Sequence, residues 1–198
     1  ELGGKDAETY QQAIQKAKDA SPYGAAVYVY PVEDYSSMRL FVTEDGKAGF
    51  ALKGDDIVSV FSGPPHKGSV NSSLQLAVKE GGRRLDAFDT VLPLLYNVNG
   101  FQVVGRMKWN EDYIPDDWNK KTFAEFNNGE PDVVYMAYNP SDYRTVSENR
   151  GEYFDDPEEL GRVQKDAVEE YQNAPKGVVL GEKQPNAISV RGSHYGNA

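Results

Sequence analysis

The sequence predicts a fold of the α/β class, of the α+β kind, in which helices pack against a sheet. Of its 198 residues, 39% are hydrophobic and 12% are aromatic, which is typical of a globular domain and not of a disordered chain. Residues 6–62 hold a helical pattern followed by strand-like segments. Residues 69–139 alternate between helical and strand-like segments, which is the pattern of helices packed on a sheet.

The N-terminal part of the chain predicts a helix and an antiparallel meander. Apolar residues recur at helical spacing between Asp6 and Ala20, and Ser21-Pro22 ends that helix. Segment 25–32, AAVYVYPV, is rich in β-branched and aromatic residues and predicts a strand. The turn sequence Glu-Asp-Gly predicts a hairpin between the next two strands. The strands after the first one are predicted at residues 39–43, 48–53 and 56–62.

Helices and strands are predicted to alternate in the middle of the chain. Val70, Leu74 and Ala77 share one face of a short helix. A proline and two acidic residues mark the first turn of a helix near the C-terminus. The remaining strands are predicted at residues 83–88, 101–109 and 132–139, and the remaining helices at 90–97 and 156–174.

The polar, turn-rich segment 110–131 is predicted to be an inserted loop. Its aromatic residues suit three structures equally well, namely a lid over a cleft, a satellite core or a partner surface. These aromatic residues are Tyr113, Trp118, Phe123 and Phe126. We therefore expect a main domain at residues 1–140, a helical extension at 141–174 and an extended tail at 175–198.

Charge and composition exclude several classes of function. The formal charge is −10, which promotes solubility and argues against nucleic acid or anionic membrane as partners, because phosphates are bound through clustered Lys and Arg. The chain has no cysteine and only His66 and His194, so disulfides and thiolate metal sites are excluded and no metal is expected. No membrane span or signal peptide is visible, so we expect a cytoplasmic location. Because the chain begins at Glu1, we expect a processed protein or a domain of a larger phage or bacterial protein.

A helix-to-strand corner, LPLLYNVNGFQVVGRMKW at residues 92–109, carries a distinctive pattern. Together with the order of elements, it resembles the GCN5-related N-acetyltransferase (GNAT) superfamily, whose pattern there is close to N-x-x-A-x-x-L-Y-x-x-x-G-F. The resemblance covers roughly residues 25–139. It implies a mixed, mostly antiparallel central sheet with helices on both faces, followed here by the C-terminal helix and tail. The residues at the pattern positions are Asp89 and Leu92, which replace the family's Asn and Ala, and Leu95, Tyr96, Gly100 and Phe101.

The resemblance implies acetyl-CoA or another acyl-CoA as cofactor. In the family, a strand pairs with the pantetheine amides, and the following loop and helix bind the pyrophosphate through backbone N–H groups, as free helix N-termini can. The family's loop reads [QR]-x-x-G-x-[GA], and its register here falls on Pro65, Gly68 and Val70, so a merely structural loop is the alternative. The implied cofactor-binding residues are Val60 and Ser62 on the strand, His66, Lys67, Gly68, Ser69, Val70 and Asn71 at the loop and helix, and Asp89 near the pantetheine.

Acyl transfer to an amine needs a deprotonated amine, a polarised carbonyl and a proton for the leaving thiolate. The resemblance implies that Tyr96 supplies this proton, and the alternative is a core tyrosine whose hydroxyl has a backbone partner. Asp86 and Asp89 flank the end of a strand towards the expected cleft, and we expect Asp86 to be a catalytic base. Asp55 and Asp56, which open the preceding strand, are interpreted as solvated turn residues.

The hypothesis that follows is an acyl-CoA-dependent N-acyltransferase acting on an amine-bearing small molecule or protein acceptor. An acidic enzyme of this kind suits a basic acceptor. The alternative is a catalytically inactive GNAT-like binding or structural module that has lost the cofactor. The departures from the family pattern at Val70, Asp89 and Leu92 favour this alternative.

Overall fold

The computed structural model describes residues 6–63 and 69–173, which contain a seven-stranded sheet and five α-helices. The strands are β1 (Arg39–Val42), β2 (Ala48–Lys53), β3 (Asp56–Ser62), β4 (Arg84–Phe88), β5 (Phe101–Met107), β6 (Val133–Tyr138) and β7 (Glu152–Tyr153). The helices are α1 (Ala7–Ala20), α2 (Val32–Tyr35), α3 (Val70–Lys79), α4 (Leu92–Val98) and α5 (Pro157–Asn173). Short 3-10 turns lie at Gly24–Ala26, Glu111–Tyr113 and Asn127–Gly129.

The sheet is mixed and mostly antiparallel, in the order β1-β2-β3-β4-β6-β5-β7. Among the described strands, β3–β4 and β5–β7 pair in parallel. Helices cover both faces: α3 and α4 bury Leu74 and Tyr96 in the main core, and α1 buries Tyr10 against the other face of β1 to β3. Helix α5 packs on this other face of β6, because Ala137 contacts α5 while its neighbour Met136 enters the main core. The predicted α+β class with a GNAT-like sheet is confirmed.

Most of the predicted elements within the described residues are present. The first predicted helix is α1, the predicted hairpin is β1 with β2, and the strand predicted at 56–62 is β3. The helix predicted from residue 90 begins at Leu92, and the strand predicted at 101–109 ends at Met107. Helix α2 and strand β7 have no predicted counterpart, since elements this short produce no hydrophobic period.

The strand predicted at residues 25–32 is wrong. This segment continues from a 3-10 turn as irregular chain, and side chains satisfy its backbone carbonyls. The Lys18 ammonium donates to the carbonyl of Val27 at 2.9 Å, and the Gln11 amide donates to the carbonyl of Tyr30 at 3.1 Å. Because α1 supplies these hydrogen bonds, no neighbouring strand is needed. The high β propensity of the segment reflects its half-buried position alone.

Strand β3 contains a bulge shortly after its pairing with β4. Ser59 has a φ of 54°, which is unusual for a residue other than glycine. The pairing with β2 shifts register here, so that Ser59 and Val60 together lie opposite Phe50. The Ser59 carbonyl accepts a hydrogen bond from the Tyr10 hydroxyl at 2.8 Å, and its Oγ lies 2.7 Å from the Tyr35 hydroxyl. The backbone at Ser59 is thus directed towards α1 and α2.

Strands β3 and β4 pair only at their beginnings. Their parallel pairing consists of Asp56 opposite Arg84. Arg84 strengthens this contact, since its Nε donates to Asp55 Oδ1 at 2.7 Å. Beyond that point the two strands part, and a cleft opens between them.

We predict that Tyr10→Phe lowers the free energy of unfolding by about 1–3 kcal/mol, because the Ser59 carbonyl loses its hydrogen-bond donor. The ring of Tyr10 is fully buried and stays in the variant, so packing is preserved. Chemical denaturation measures the effect. Tyr113→Phe is the matched control, since Tyr113 is 79% exposed. Equal stabilities of the two variants would contradict the role given to Tyr10.

Candidate functional site

The cleft between β3 and β4 contains two adjoining cavities. The inner chamber, of about 470 Å³, lies between residues 57–60 of β3 and 85–88 of β4. The outer chamber, of about 280 Å³, lies against the end of β3, the start of α4 and the inserted segment. Val60, Leu92 and Tyr96 line both chambers. Tyr96 therefore lies where the two chambers meet.

The local sequence fixes the helix that carries Tyr96. Pro93 lies in the first turn of α4, where a missing N–H leaves no hydrogen bond unmade. The buried Asn97 side chain donates to the carbonyl of Phe101 at 2.9 Å and so ties the last turn of α4 to β5. Gly100 has a φ of 94°, which lets the chain reverse directly into that strand. These contacts hold Tyr96 at a constant place against the sheet.

Tyr96 combines a core ring with a hydroxyl at the chambers. The residue is 6% exposed and its ring belongs to the main core. Within the described part of the chain, its hydroxyl has no hydrogen-bond partner, although the residue lines both chambers. Burial, and then the negative charge of Asp86, raise the pKa of the Tyr96 hydroxyl well above its usual range. The hydroxyl thus keeps its proton at neutral pH, as a proton donor must.

Two carboxylates project from the face of the sheet opposite α4. Asp86 and Asp56 lie on that face because their neighbours Leu85 and Ile57 point into the main core. Asp86 lines the inner chamber, where solvent still reaches its side chain. The protein around this concave wall partly desolvates the carboxyl, which raises its pKa. Burial raises the pKa of Asp56 to about 7, with Arg84 opposing the shift and the charge of Asp86 adding to it.

Three tyrosines lie near these two carboxylates. Burial, followed by the charges of Asp56 and Asp86, raises the pKa of Tyr30 and of Tyr135 to about 12 each. Tyr135 lies opposite Asp86 in the β4–β6 pairing. The ring of Tyr28 meets that of Tyr30 edge-on, with 4.6 Å between centroids, and Tyr28 is 65% exposed at the rim of the inner chamber. Carboxylates and aromatic rings therefore share one face of the cleft.

The sequence interpretation missed the burial of Asp56, whose pKa is raised in part by the charge of Asp86 of the inner chamber. The interpretation of Asp55 and Asp56 as solvated turn residues suits Asp55, whose side chain is 39% exposed, but is wrong for Asp56, at 20%. Arg84 reaches Asp55 at 2.7 Å and Asp56 at 3.5 Å, so β4 covers the start of β3. A signal for this was present, since Asp56 shares a strand face with the buried Val58.

Part of the predicted cofactor site comes together at the outer chamber. Val60, Ser62 and Val70 line it. Ser69 precedes the first turn of α3, and its buried Oγ has no hydrogen-bond partner among the described residues. The Asn71 Oδ1 accepts a hydrogen bond of 2.8 Å from the side chain that ends α4. The predicted residues His66, Lys67 and Gly68 lie outside the described residues.

Asp89 lies in a charge cluster and lines neither chamber. Its carboxylate accepts a hydrogen bond of 2.9 Å from Nη1 of Arg106, a fully buried residue that bonds to Asp132 at the same distance. Tyr153 also donates to Asp132, at 2.7 Å. The cluster joins the chain just after β4 to the start of β6 and to β7. Asp89 is thus held by Arg106, next to Thr90 and Val91, which line the outer chamber.

The inserted segment 110–131 forms a small aromatic core. The ring of Trp118 stacks on Phe123 with 3.9 Å between centroids and lies 4.7 Å from Phe88 of β4. Phe123 and Phe126 also line the outer chamber. The segment therefore covers one side of that chamber while packing on the end of β4.

Comparisons of the chain with protein-family models, curated proteins and solved structures gave no match. Among residues 6–63 and 69–173, no group of three or more acidic or histidine side chains is arranged to hold a metal ion. No helix in these ranges is both long and apolar enough to cross a bilayer. Because a fold does not fix a function, any assignment has to rest on the chemistry of the two chambers.

We predict that Asp56→Asn removes a pH dependence of stability between pH 4 and 7. The pKa of Asp56 is about 7 in the folded state and near 3.8 in the unfolded chain, so the folded state binds the proton more tightly. Below pH 4 this proton binding contributes fully to the free energy of unfolding. The contribution, roughly 4 kcal/mol, is lost as pH rises through 7. Denaturation at a series of pH values measures it.

The exposed Asp155 provides the control for this experiment. Asp155→Asn should leave the slope of stability against pH as in the unaltered protein across the same window. A slope in Asp56→Asn that equals that of the unaltered protein would show that Asp56 is not perturbed.

Proposed function

We propose that this protein is an acyl-CoA-dependent N-acyltransferase that acts on an amine-bearing acceptor. The position of Tyr96 carries the proposal: a buried tyrosine without a described hydrogen-bond partner lies where two chambers meet in an opened sheet. Asp86 reaches the inner chamber from the other face of the sheet. A proton donor and a proton acceptor on two sides of a cleft suit transfer between a thioester and an amine.

The described residues fit the thioester arm of an acyl-CoA. Beyond Asp56, the edge of β3 that faces β4 has no strand partner, so backbone groups near Val60 are open to the amides of a pantetheine chain. Val70 and Leu92 give the outer chamber apolar walls. The Ser69 Oγ, which has no hydrogen-bond partner among residues 6–63 and 69–173, adds a polar atom at the start of α3, where the first N–H groups have no intrahelical acceptor. When bound, the cofactor supplies an acyl carbon activated by its thioester.

Two proton transfers are assigned to side chains of this protein. Asp86 accepts a proton from the acceptor nitrogen, which must be neutral to attack. Asp56 lies close to Asp86, and its pKa of about 7 lets it take up a proton in turn near neutral pH. The Tyr96 hydroxyl donates a proton to the sulfur as the C–S bond breaks. One C–N bond replaces one C–S bond, and the proton gained by Asp86 balances the proton lost by Tyr96.

Acetyl-CoA and free CoA are expected to stabilise the protein. A ligand at a hundred times its Kd adds about 2.7 kcal/mol to the free energy of unfolding, which thermal shift and calorimetry both detect. ADP, which lacks the pantetheine arm, is the control ligand and should give a smaller shift. No shift with millimolar acetyl-CoA would overturn the proposal and would favour a binding or structural module without the cofactor.

Tyr96→Phe is expected to lower kcat by roughly 10²–10⁴-fold, because the variant cannot supply the proton that the leaving sulfur needs. Its affinity for acetyl-CoA should change little, since the ring remains. Release of free thiol from acetyl-CoA with a panel of primary amines measures turnover, and calorimetry measures affinity. Tyr113→Phe, at an exposed site, is the matched control. An unchanged kcat would exclude Tyr96 as the acid, and a loss of folding would make it a core tyrosine.

A further inference from the structure

The inner chamber carries a single charged residue among its described lining, Asp86. The nearest arginine, Arg84, is already engaged, by Asp55 at 2.7 Å and by Asp56 at 3.5 Å. No cationic side chain of the described residues forms an ion pair with Asp86. A carboxylate on the wall of a concave site attracts a positive charge from solution more strongly than one on a flat surface. The chamber thus has the charge for one cation.

The other walls of the inner chamber are aromatic and aliphatic. Tyr28 and Tyr30 stand edge-on to each other on one side. The Lys53 ammonium already lies 5.9 Å from the centroid of the Tyr30 ring. The exposed ring of Tyr28 can attract a further ammonium group, and both rings can pack against an apolar body. Leu85, Leu92 and Val133 line the chamber elsewhere. A second charge on the ligand would lie against these aliphatic groups without a partner, which is costly. The walls therefore disfavour polycations and anions.

The size of the chamber and one residue on its wall also point to a small ligand. A volume of about 470 Å³ is within the range of small-molecule sites. Tyr96 lies at the junction with the outer chamber and is only 6% exposed. Its hydroxyl has no hydrogen-bond partner among the described residues. A hydroxyl without a described partner, on a residue that lines a cavity, is a group with which a ligand can form a hydrogen bond.

We propose that the inner chamber binds a small primary amine with one positive charge and an apolar, preferably aromatic, body, that is, an arylalkylamine. Its ammonium lies at Asp86, and its body lies between Tyr28, Tyr30 and Leu92. As the identity of the acyl acceptor, this rests on the proposed acyltransferase function. As a binding site, it does not, because the chamber is lined without the cofactor.

Calorimetry with the whole protein, without cofactor, tests the binding. The probe is 2-phenylethylamine, and the comparison ligands are 3-phenylpropionate, spermidine and Nα-acetyl-lysine amide. The probe should bind at least about tenfold more tightly than each of the three, because each of these lacks either the single ammonium or the apolar body. Binding of spermidine as tight as that of the probe, or tighter, would indicate a polycation site. The same result with the lysine amide would indicate a peptide acceptor. Either result overturns the proposal.

Variants locate the site. Asp86→Asn should weaken binding of 2-phenylethylamine at least about tenfold, whereas Asp155→Asn, at an exposed acid outside the chambers, should not. Tyr28→Ala changes a side chain that is 65% exposed, so it tests the aromatic wall at little risk to folding, and about a threefold loss is expected. Unchanged affinity in both Asp86→Asn and Tyr28→Ala would overturn the proposal.

The two proposals fail in different ways. Binding of 2-phenylethylamine without any binding of acetyl-CoA would remove the acyltransferase function and keep the amine site. Binding of acetyl-CoA without binding of 2-phenylethylamine, even with CoA present, would keep the acyltransferase function and overturn the amine site.

Discussion

The conformation of Ser59 is the constraint on which the rest of the site depends. A left-handed backbone at a serine costs roughly 1–2 kcal/mol, and two buried tyrosine hydroxyls offset that cost. The Tyr10 hydroxyl donates to the Ser59 carbonyl at 2.8 Å, and the Tyr35 hydroxyl forms a hydrogen bond of 2.7 Å with the Ser59 Oγ. The Ser59 carbonyl is bound in this way to α1 and is unavailable to β4, and the Ser59 side chain is bound to α2. These hydrogen bonds thus hold the bulge in place beside the opening of the sheet, which begins after Asp56.

The opened sheet brings together groups that a closed sheet would separate. Tyr96 comes from the helix on one face, and Asp86 projects from the other face, yet both line the inner chamber. Their environments differ in the way that acid–base chemistry requires. Burial keeps the phenol protonated, whereas Asp86 stays accessible to solvent and to a cation. The proposed acyltransferase reaction would thus have a protonated phenol and a carboxyl group available in one chamber.

Local patterns predicted most of the fold, and long-range contacts account for what they missed. Tyr96 could be singled out because the Leu-Tyr and Gly-Phe pairs mark a helix-to-strand corner within one short segment. The segment 25–32 was misjudged because its hydrogen-bond partners are side chains of α1. The burial of Asp56 depends on Arg84 in another strand, and the engagement of Asp89 depends on a buried arginine of β5. The periodicity does not show either pairing, although the alternation of β3 places Asp56 on the same face as the buried Val58.

The charge cluster of Arg106 has a consequence for how the protein can change. Arg106 precedes the inserted segment and Asp132 follows it, and their 2.9 Å bond fixes the two points where that segment leaves the sheet. With its ends clamped, the segment can vary in length and composition at little cost to β5 and β6. The wall that this segment gives to the outer chamber can thus change while the sheet stays the same. Changes in this segment therefore alter that wall without moving the elements that carry Tyr96 and Asp86.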